Sequence, residues 1–378
     1  MSAVIDLTKQ LIACPSVTPK DAGAQVLLKS YLENLGFKCF ELPFGEGNEQ
    51  VPNLFARLGE DGPHLCYAGH TDVVPAGDEK AWTYGAFNPE IKDGVLYGRG
   101  SSDMKGSVAA FAAAVADFIN AGTFKGSISL LITGDEEGPA INGTVRVLEW
   151  MKENGHIPDV ALVGEPTNPS ELGQEIKIGR RGSLTGEITV EGKQGHVAYQ
   201  QLAYNPLPQL VKMLDALATY NFDDGNEFFP KTNLEITTID VGNPAENVIP
   251  ASGRAVFNIR FNDHWNSHSL SAKIGEILDN NGESYEVEMS GNADSFITKP
   301  GEWSEIVKKA VEDVTGKTPE YTTNGGTSDA RFIVNYCPVI ECGGINASIH
   351  QIDENARVED LENLTKIYGR ILERYFKK

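Results

Sequence analysis

The sequence predicts an α/β protein: a doubly wound, mostly parallel sheet carrying an inserted α+β domain. Three observations predict it. Apolar strand-like runs alternate with helical stretches over the first 165 residues, and short polar motifs follow directly after those runs, where sheets of this kind keep their chemistry. Between about Gly182 and Gly291 the order changes to β-α-β-β-α-β, after which the first texture returns. At 378 residues the chain exceeds what one hydrophobic core ordinarily serves, so two domains are expected.

Taken in order, helical periodicity at 4–13 and 22–35 gives way to strand-like runs at 38–41 and 53–57. The apolar run 64–69 ends at His70, and after a glycine-rich loop 107–119 reads as a buried helix. Residues 127–133 are apolar without alternation, as in a strand covered on both faces. A helix at 143–153 and a strand at 160–163 complete the third repeat of strand, polar loop and helix. In the middle, strand 183–190, helix 206–220, strands 234–241 and 254–261, helix 267–280 and strand 285–289 follow in split-βαβ (ferredoxin-like) order. Helix 303–315, strand 339–342 and helix 358–375 resume the first pattern. The expected division is a discontinuous domain, 1–181 with 292–378, and an insertion, 182–291.

Composition narrows the function. Residues are 40% hydrophobic and 22% charged, with a formal net charge of −21. So acidic a chain lacks the positive surface that polyphosphates require, which argues against a nucleic-acid partner and not against metal cations. The first residues show no basic head, apolar run and cleavage site, so no signal peptide is expected. The longest apolar stretch, 108–115, is too short to cross a bilayer of about 30 Å, and no membrane association is expected. Five cysteines, odd in number and without a CxxC pair, speak against a disulfide framework and for a reducing cytoplasm.

The motifs carry the chemistry. His70 and Asp72 lie in His-Thr-Asp-Val-Val-Pro, Asp103 in Gly-Arg-Gly-Ser-Ser-Asp-Met-Lys-Gly, Glu136 and Glu137 in Gly-Asp-Glu-Glu-Gly, and Glu165 in Val-Gly-Glu-Pro-Thr; His350 stands far downstream. Imidazole and carboxylate donors without thiolate suit zinc, manganese or cobalt in catalytic sites, zinc first. Charge balance favours two ions, because Asp103, Glu137 and Glu165 with one hydroxide would neutralise two divalent cations. Ions about 3.5–4 Å apart share a bridging carboxylate and lower the pKa of water. If the strand continues past His70, Asp72 leaves on the same face and can hold the imidazole. Of the adjacent Glu136 and Glu137, one can bind metal while the other works as general base. Taken singly, a His-x-Asp is more often a plain hydrogen-bonded pair, and Asp-Glu-Glu a solvated turn. The glycine-rich loop lacks the spacing of a phosphate cradle. His64 and His156 read as a strand residue and a helix-end cation.

At this point the chain resembles the dinuclear zinc aminoacylase and carboxypeptidase family over nearly its whole length. Besides the motifs above, it shares Gly-Arg-Arg-Gly-Ser-Leu (179–184), Gly-x-Gln-Gly-His-Val-Ala-Tyr (192–199), Asn-Val-Ile-Pro (247–250), Gly-Gly-Thr-Ser-Asp-x-Arg-Phe (325–332) and Asn-Ala-Ser-Ile-His-Gln (346–351). The resemblance implies two zinc ions, with cobalt as an alternative at one. It implies that Asp103 bridges them, that His70 and Glu165 bind one, and that Glu137 and His350 bind the other. It makes Glu136 the general base and Asp72 the orienting carboxylate. His196, in the insertion, is similar to a histidine that reaches across a homodimer to stabilise an oxyanion, with Asn247 near it. The substrate implied is a small molecule with several carboxylates, gripped by Arg260 and by Arg180 or Arg181, with Tyr199, Gly326, Thr327 and Asn346 at its polar groups. For Asn346 a plain turn role is the alternative. The chain departs from the family in Ser101 and Ser102, where alanines are usual, and in Gln200 and Gln201. Rival readings are another deacylase or carboxypeptidase of the family, and a non-catalytic metal-dependent binding protein.

Overall fold

The computed structural model describes residues 2–376. They form two compact units, one comprising the segments up to Gly179, Ile297–Thr322 and from Ser328 onward, the other Arg180–Phe296 with Thr323–Thr327. The changeovers lie a few residues from those expected at 182 and 291, and the short 323–327 segment groups with the second unit.

The first unit is built on an eight-stranded sheet. Its strands run in the order Lys38–Glu41, Leu54–Leu58, Ser127–Thr133, His64–His70, Val160–Val163, Val339–Glu341, Glu175–Lys177 and Glu320–Thr322. The four central strands, from Ser127–Thr133 to Val339–Glu341, are mutually parallel. His64–His70 and Ser127–Thr133 pair residue for residue, so His70 stands level with Thr133 and the loops behind them emerge together. Every residue of both strands is buried.

Both faces of the sheet are covered, as the aromatic residues show. Phe55, Leu131 and Ala68 are register partners on one face, and there Trp150 of the helix Thr144–Glu153 packs on Phe55 at 5.6 Å. Tyr67, one residue from Ala68, points the opposite way. It stacks on Phe111 of the helix Lys105–Asn120 at 4.2 Å and meets Tyr368 of the helix Val358–Phe376 edge-on. The five alanines from Ala109 to Ala114 are buried, and side chains this small let the terminal helix pack closely against Lys105–Asn120. Each buried leucine, valine or isoleucine of these layers contributes about 1.5–3 kcal/mol.

The second unit is a four-stranded antiparallel sheet in the order Asn233–Asp240, Ser252–Phe261, Gly182–Glu191, Glu286–Ala293, with helices Leu207–Thr219 and Ser267–Asp279 packed on one face. Burial alternates strictly along Gly182–Val190 and along Ser252–Phe261, the signature of a sheet with one covered face. Two glycines make this packing possible. A Cβ on Gly182 or Gly186 would lie 2.2 or 2.1 Å from the ring of its cross-strand partner, Phe261 or Phe257.

Three local expectations need correction. The strand carrying His70 ends at His70, so Asp72 lies in the following loop and strand alternation does not orient it. A small sheet of Glu90–Lys92, Val95–Tyr97 and Asn355–Arg357 was not signalled by the sequence, its strands being three residues each. His156 is not a cation: its Nδ1 meets Nη1 of Arg57 at 2.9 Å, and since guanidinium can only donate, the ring must accept. Burial and the Arg57 charge lower its pKa accordingly.

Candidate metal centre

Three neighbouring strand ends carry His70, Glu136 with Glu137, and Glu165; Asp103, in the loop after Val95–Tyr97 of the small sheet, and His350, beyond Val339–Glu341, join them. His70 ends its strand at 1% exposure, and Glu165 follows Val160–Val163 by two residues at 8%. His70 Nε2 lies 3.3 Å from Oδ1 of Asp103 and 3.5 Å from Oε1 of Glu165. His350 Nε2 lies 2.9 Å from Oε1 of Glu137 and 3.5 Å from Oδ2 of Asp103. Asp103 thus turns one oxygen to each histidine. Donor atoms of His70, Asp103 and Glu165 fall within 4.8 Å of one another, as do those of Asp103, Glu137 and His350.

Asp72 supports this centre in a different way from the one expected. The Nδ1–H of His70 donates to the main-chain carbonyl of Asp72 at 2.9 Å, while the carboxylate stands 3.6 Å away. That carboxylate accepts the Thr18 hydroxyl at 2.6 Å and the N–H groups of Glu137 at 3.1 Å and Glu136 at 3.4 Å. One residue therefore fixes the imidazole through its backbone and the Glu136–Glu137 turn through its side chain. Asp135 closes the same loop by accepting the N–H groups of Ile141 and Asn142, both at 2.9 Å.

The electrostatics fit cations. Burial alone would depress the pKa of His70, yet the Asp103 hydrogen bond and the charges of Glu165, Asp72 and Glu136 hold it well above the usual value. The hydrogen bonds from His350 and His70 overcome burial and keep Asp103 ionised far below the ordinary range. His350 is raised to about 10 by its bonds to Asp103 and Glu137. Burial and then the neighbouring Glu165 carboxylate push Glu136 well up, so it is a base that holds a proton readily. A buried group of carboxylates that draws its histidines towards the cationic form is a field that divalent ions would satisfy, and the all-oxygen and imidazole donor set suits them.

In the second unit, Gly195–His196 pairs with Val248–Ile249, which puts His196 beside the segment containing Asn247. Ala198 N–H donates to Nδ1 of His196 at 3.1 Å, so the neutral ring carries its proton on Nε2 as a donor. Its ring meets that of Tyr199 edge-on, and Tyr199 is exposed. Arg180 is buried and donates to the Gly326 carbonyl at 3.1 Å. Arg181 bonds Asn233, and Arg260 bonds Asn258. Burial and then the charge of Arg260 lower the pKa of Arg181, which marks two guanidinium groups lying close together. Thr327 is exposed beside Gly326. Asn346, in the first unit, donates its N–H to the Asn168 carbonyl at 2.8 Å in the loop leading to His350.

Two residues went unread in the sequence. Glu354 is fully buried and accepts from Arg99 at 2.6 Å and from three N–H groups of the Asp103 loop. Asp329 is buried, with Arg331 Nη2 3.8 Å from its Oδ1, and its charge is close enough to raise the pKa of Glu136. Asp329 lies inside a motif quoted above; Glu354 lies in none.

Residues 66–374 match the profile of Peptidase family M20/M25/M40, and the chain belongs to that family of hydrolases. Among solved structures, an M20 family metallo-carboxypeptidase from Sulfolobus solfataricus shares the fold at a TM-score of 0.82, with 18% identity and 99% of each chain covered. A protein of Bacillus subtilis described as a dinuclear metal-binding peptidase of the M20 family aligns at a TM-score of 0.70, with 15% identity over 97% of this chain and 96% of its own. The succinyl-diaminopimelate desuccinylase of Rhodospirillum centenum is 57% identical over 374 residues, covering 98% of this chain and 97% of that one.

Proposed function

We propose that the chain hydrolyses N-succinyl-LL-2,6-diaminopimelate to succinate and LL-2,6-diaminopimelate, a step in lysine and cell-wall precursor synthesis, in the cytoplasm. The observation that carries the hydrolytic chemistry is the division of Asp103 between two donor sets, with Glu136 beside them, within 4.8 Å of donor atoms of both His70 and Glu137. The choice of substrate is supported by 57% identity over almost the whole chain to a protein of that name.

His70, Asp103 and Glu165 would hold one divalent ion and Asp103, Glu137 and His350 the other, both zinc, with cobalt as an alternative at one. Such ions supply Lewis acidity and make water easier to deprotonate. Glu136 takes the proton of the attacking water and delivers it to the departing amine as the amide bond breaks. The Nε2–H of His196, reaching across a homodimer, donates to the oxyanion, with Asn247 beside it. Arg260 and Arg181 lack an acidic partner within 4 Å among the described residues and suit a carboxylate grip, while Arg180 orders the Gly326 and Thr327 segment. Tyr199 and Asn346 complete the polar contacts. The dimer is supported by exposed Val197, Leu202, Tyr204 and Ile239 and by the open edge of Asn233–Asp240. The cytoplasmic placement is supported by the five free thiols.

Rates on N-succinyl-diaminopimelate, N-acetylornithine and a dipeptide test the proposal. Preference for the first is expected. Preference for either of the others would replace the substrate, and stoichiometric metal binding without hydrolysis of any would revive a binding role.

A further inference from the structure

The loop that bears His350 is held differently from the strand ends that bear His70 and Glu165. His70 and Glu165 end or follow central strands of the sheet. His350 sits in a loop with φ +61°, three residues before Asp353 at φ +59°, so its place depends on what fastens that loop. Asp353 accepts from the N–H and hydroxyl of Thr83 at 2.8 and 2.7 Å, and Ser348 exchanges bonds with Asn355. The loop is also tied by the Ser102 hydroxyl on the Ile345 carbonyl, by Asn346 N–H on the Asn168 carbonyl and by the pairing of Asn355–Arg357 with Val95–Tyr97, and the fastening that reaches Asp103 itself is Glu354. Its Oε1 accepts the N–H groups of Gly100, Ser102 and Asp103 at 3.1, 3.0 and 3.0 Å. Its Oε2 accepts from Arg99 at 2.6 Å, and its carbonyl accepts from Gly98 at 2.9 Å.

We infer that Glu354 is the positioning residue of the donor set Asp103, Glu137 and His350, its Arg99-locked carboxylate fixing the Asp103 turn against the His350 loop. The inference rests on reading that set as the ligands of a second divalent ion. A fully buried ion pair is a poor device for stability alone, because removing two charges from water offsets most of their attraction. What this one provides is direction: three N–H groups, one of them belonging to Asp103 itself, converge on a single oxygen. Arg99, 2% exposed and lying over the Trp82 ring at 5.2 Å, keeps that oxygen aimed. Unfastening it loosens Asp103, which both donor sets share, and also the His350 loop, which only the second set uses, so the second set loses more than the first. Outer partners of metal ligands commonly change affinity by about 10- to 100-fold.

The test titrates the metal-free full-length protein with Zn²⁺ by calorimetry and follows Co²⁺ loading by visible absorption. Two ions are expected for the parent protein. Glu354→Ala should weaken the second ion about 10- to 100-fold and the first, which shares only Asp103 with it, by distinctly less, with the larger change in the cobalt bands of the second ion. Glu354→Gln, which keeps an acceptor oxygen, should recover the second site to within a few-fold. Leu28→Ala, a cavity in the buried face of the helix Ala24–Asn34, should lose stability and keep both ions. Unchanged second-site affinity in Glu354→Ala, failure of Glu354→Gln to recover it, or an equal drop in Leu28→Ala overturns the inference. If Glu354→Ala does not fold, Glu354→Asp, which keeps the charge opposite Arg99 but withdraws the acceptor by one methylene, must show the drop, and parental affinity there overturns it. A parental protein that binds fewer than two ions overturns the two-ion reading itself, and the clamp with it.

Discussion

Asp103 and Glu136 divide the labour of the centre in a way that substitution can separate. Glu136 lies outside the two sets built around Asp103, so Glu136→Gln should lower turnover by about 10²- to 10⁴-fold while metal content, measured by elemental analysis, stays at the parental value. Substantial residual activity would move the general base elsewhere. These residues were legible because each follows an apolar run that ends in a glycine-flanked loop. Glu354 was not, since a glutamate between Asp353 and Asn355 reads as a solvated turn; its burial comes from groups more than 250 positions away in sequence. The sequence did not show that the Asp72 carboxylate, 3.6 Å from the His70 ring, also binds Thr18, Glu136 and Glu137, because those partners depend on a loop and not on strand alternation. His64 makes a separate prediction. Burial, and then the charge of Arg57, lower its pKa from 6.5 to about 4, so the unfolded chain takes up a proton there before the folded one. Stability is full above pH 6.5 and falls as pH drops towards 4, by on the order of 3 kcal/mol. Denaturant midpoints at pH 7 and pH 5 should therefore converge in His64→Gln relative to the parent.

At the level of elements, the long ones were readable and the short ones were not. The strand Ser127–Thr133 and the split-βαβ succession carry clear periodicity, whereas Glu175–Lys177 and Glu320–Thr322 are three-residue strands that exist only because the sheet offers them an edge. The glycines of Gly182–Glu191 look like weak points in a strand until their partners are seen. Phe257 and Phe261 occupy the space that side chains would take. Gly186→Val should overpack this face and destabilise the second unit by about 1–3 kcal/mol or more. Calorimetry should show that unit melting earlier with zinc stoichiometry intact; an unchanged transition would mean that the ring finds another place.

For the whole molecule, two units imply two responses. Chelation should lower the melting temperature of the first unit alone, because ligand-linked stability is lost: about 2.7 kcal/mol for an ion present at 100 times its Kd. Restoring zinc should return it, and a shift confined to the second unit would place the metal elsewhere. The division also has a consequence for how the chain is threaded. Ile178 and Thr298, on either side of the insertion, are joined by a hydrogen bond of 2.7 Å, so the chain leaves the first unit and comes back to it through neighbouring positions. That leaves residues 180–296 nearly self-contained, with Thr323–Thr327 the one further segment that groups with them. The metal donors His70, Asp103, Glu137, Glu165 and His350 all lie outside that stretch, whereas His196, Asn247, Arg181 and Arg260 all lie within it, so the metal chemistry and the grip on substrate are written in separate lengths of chain.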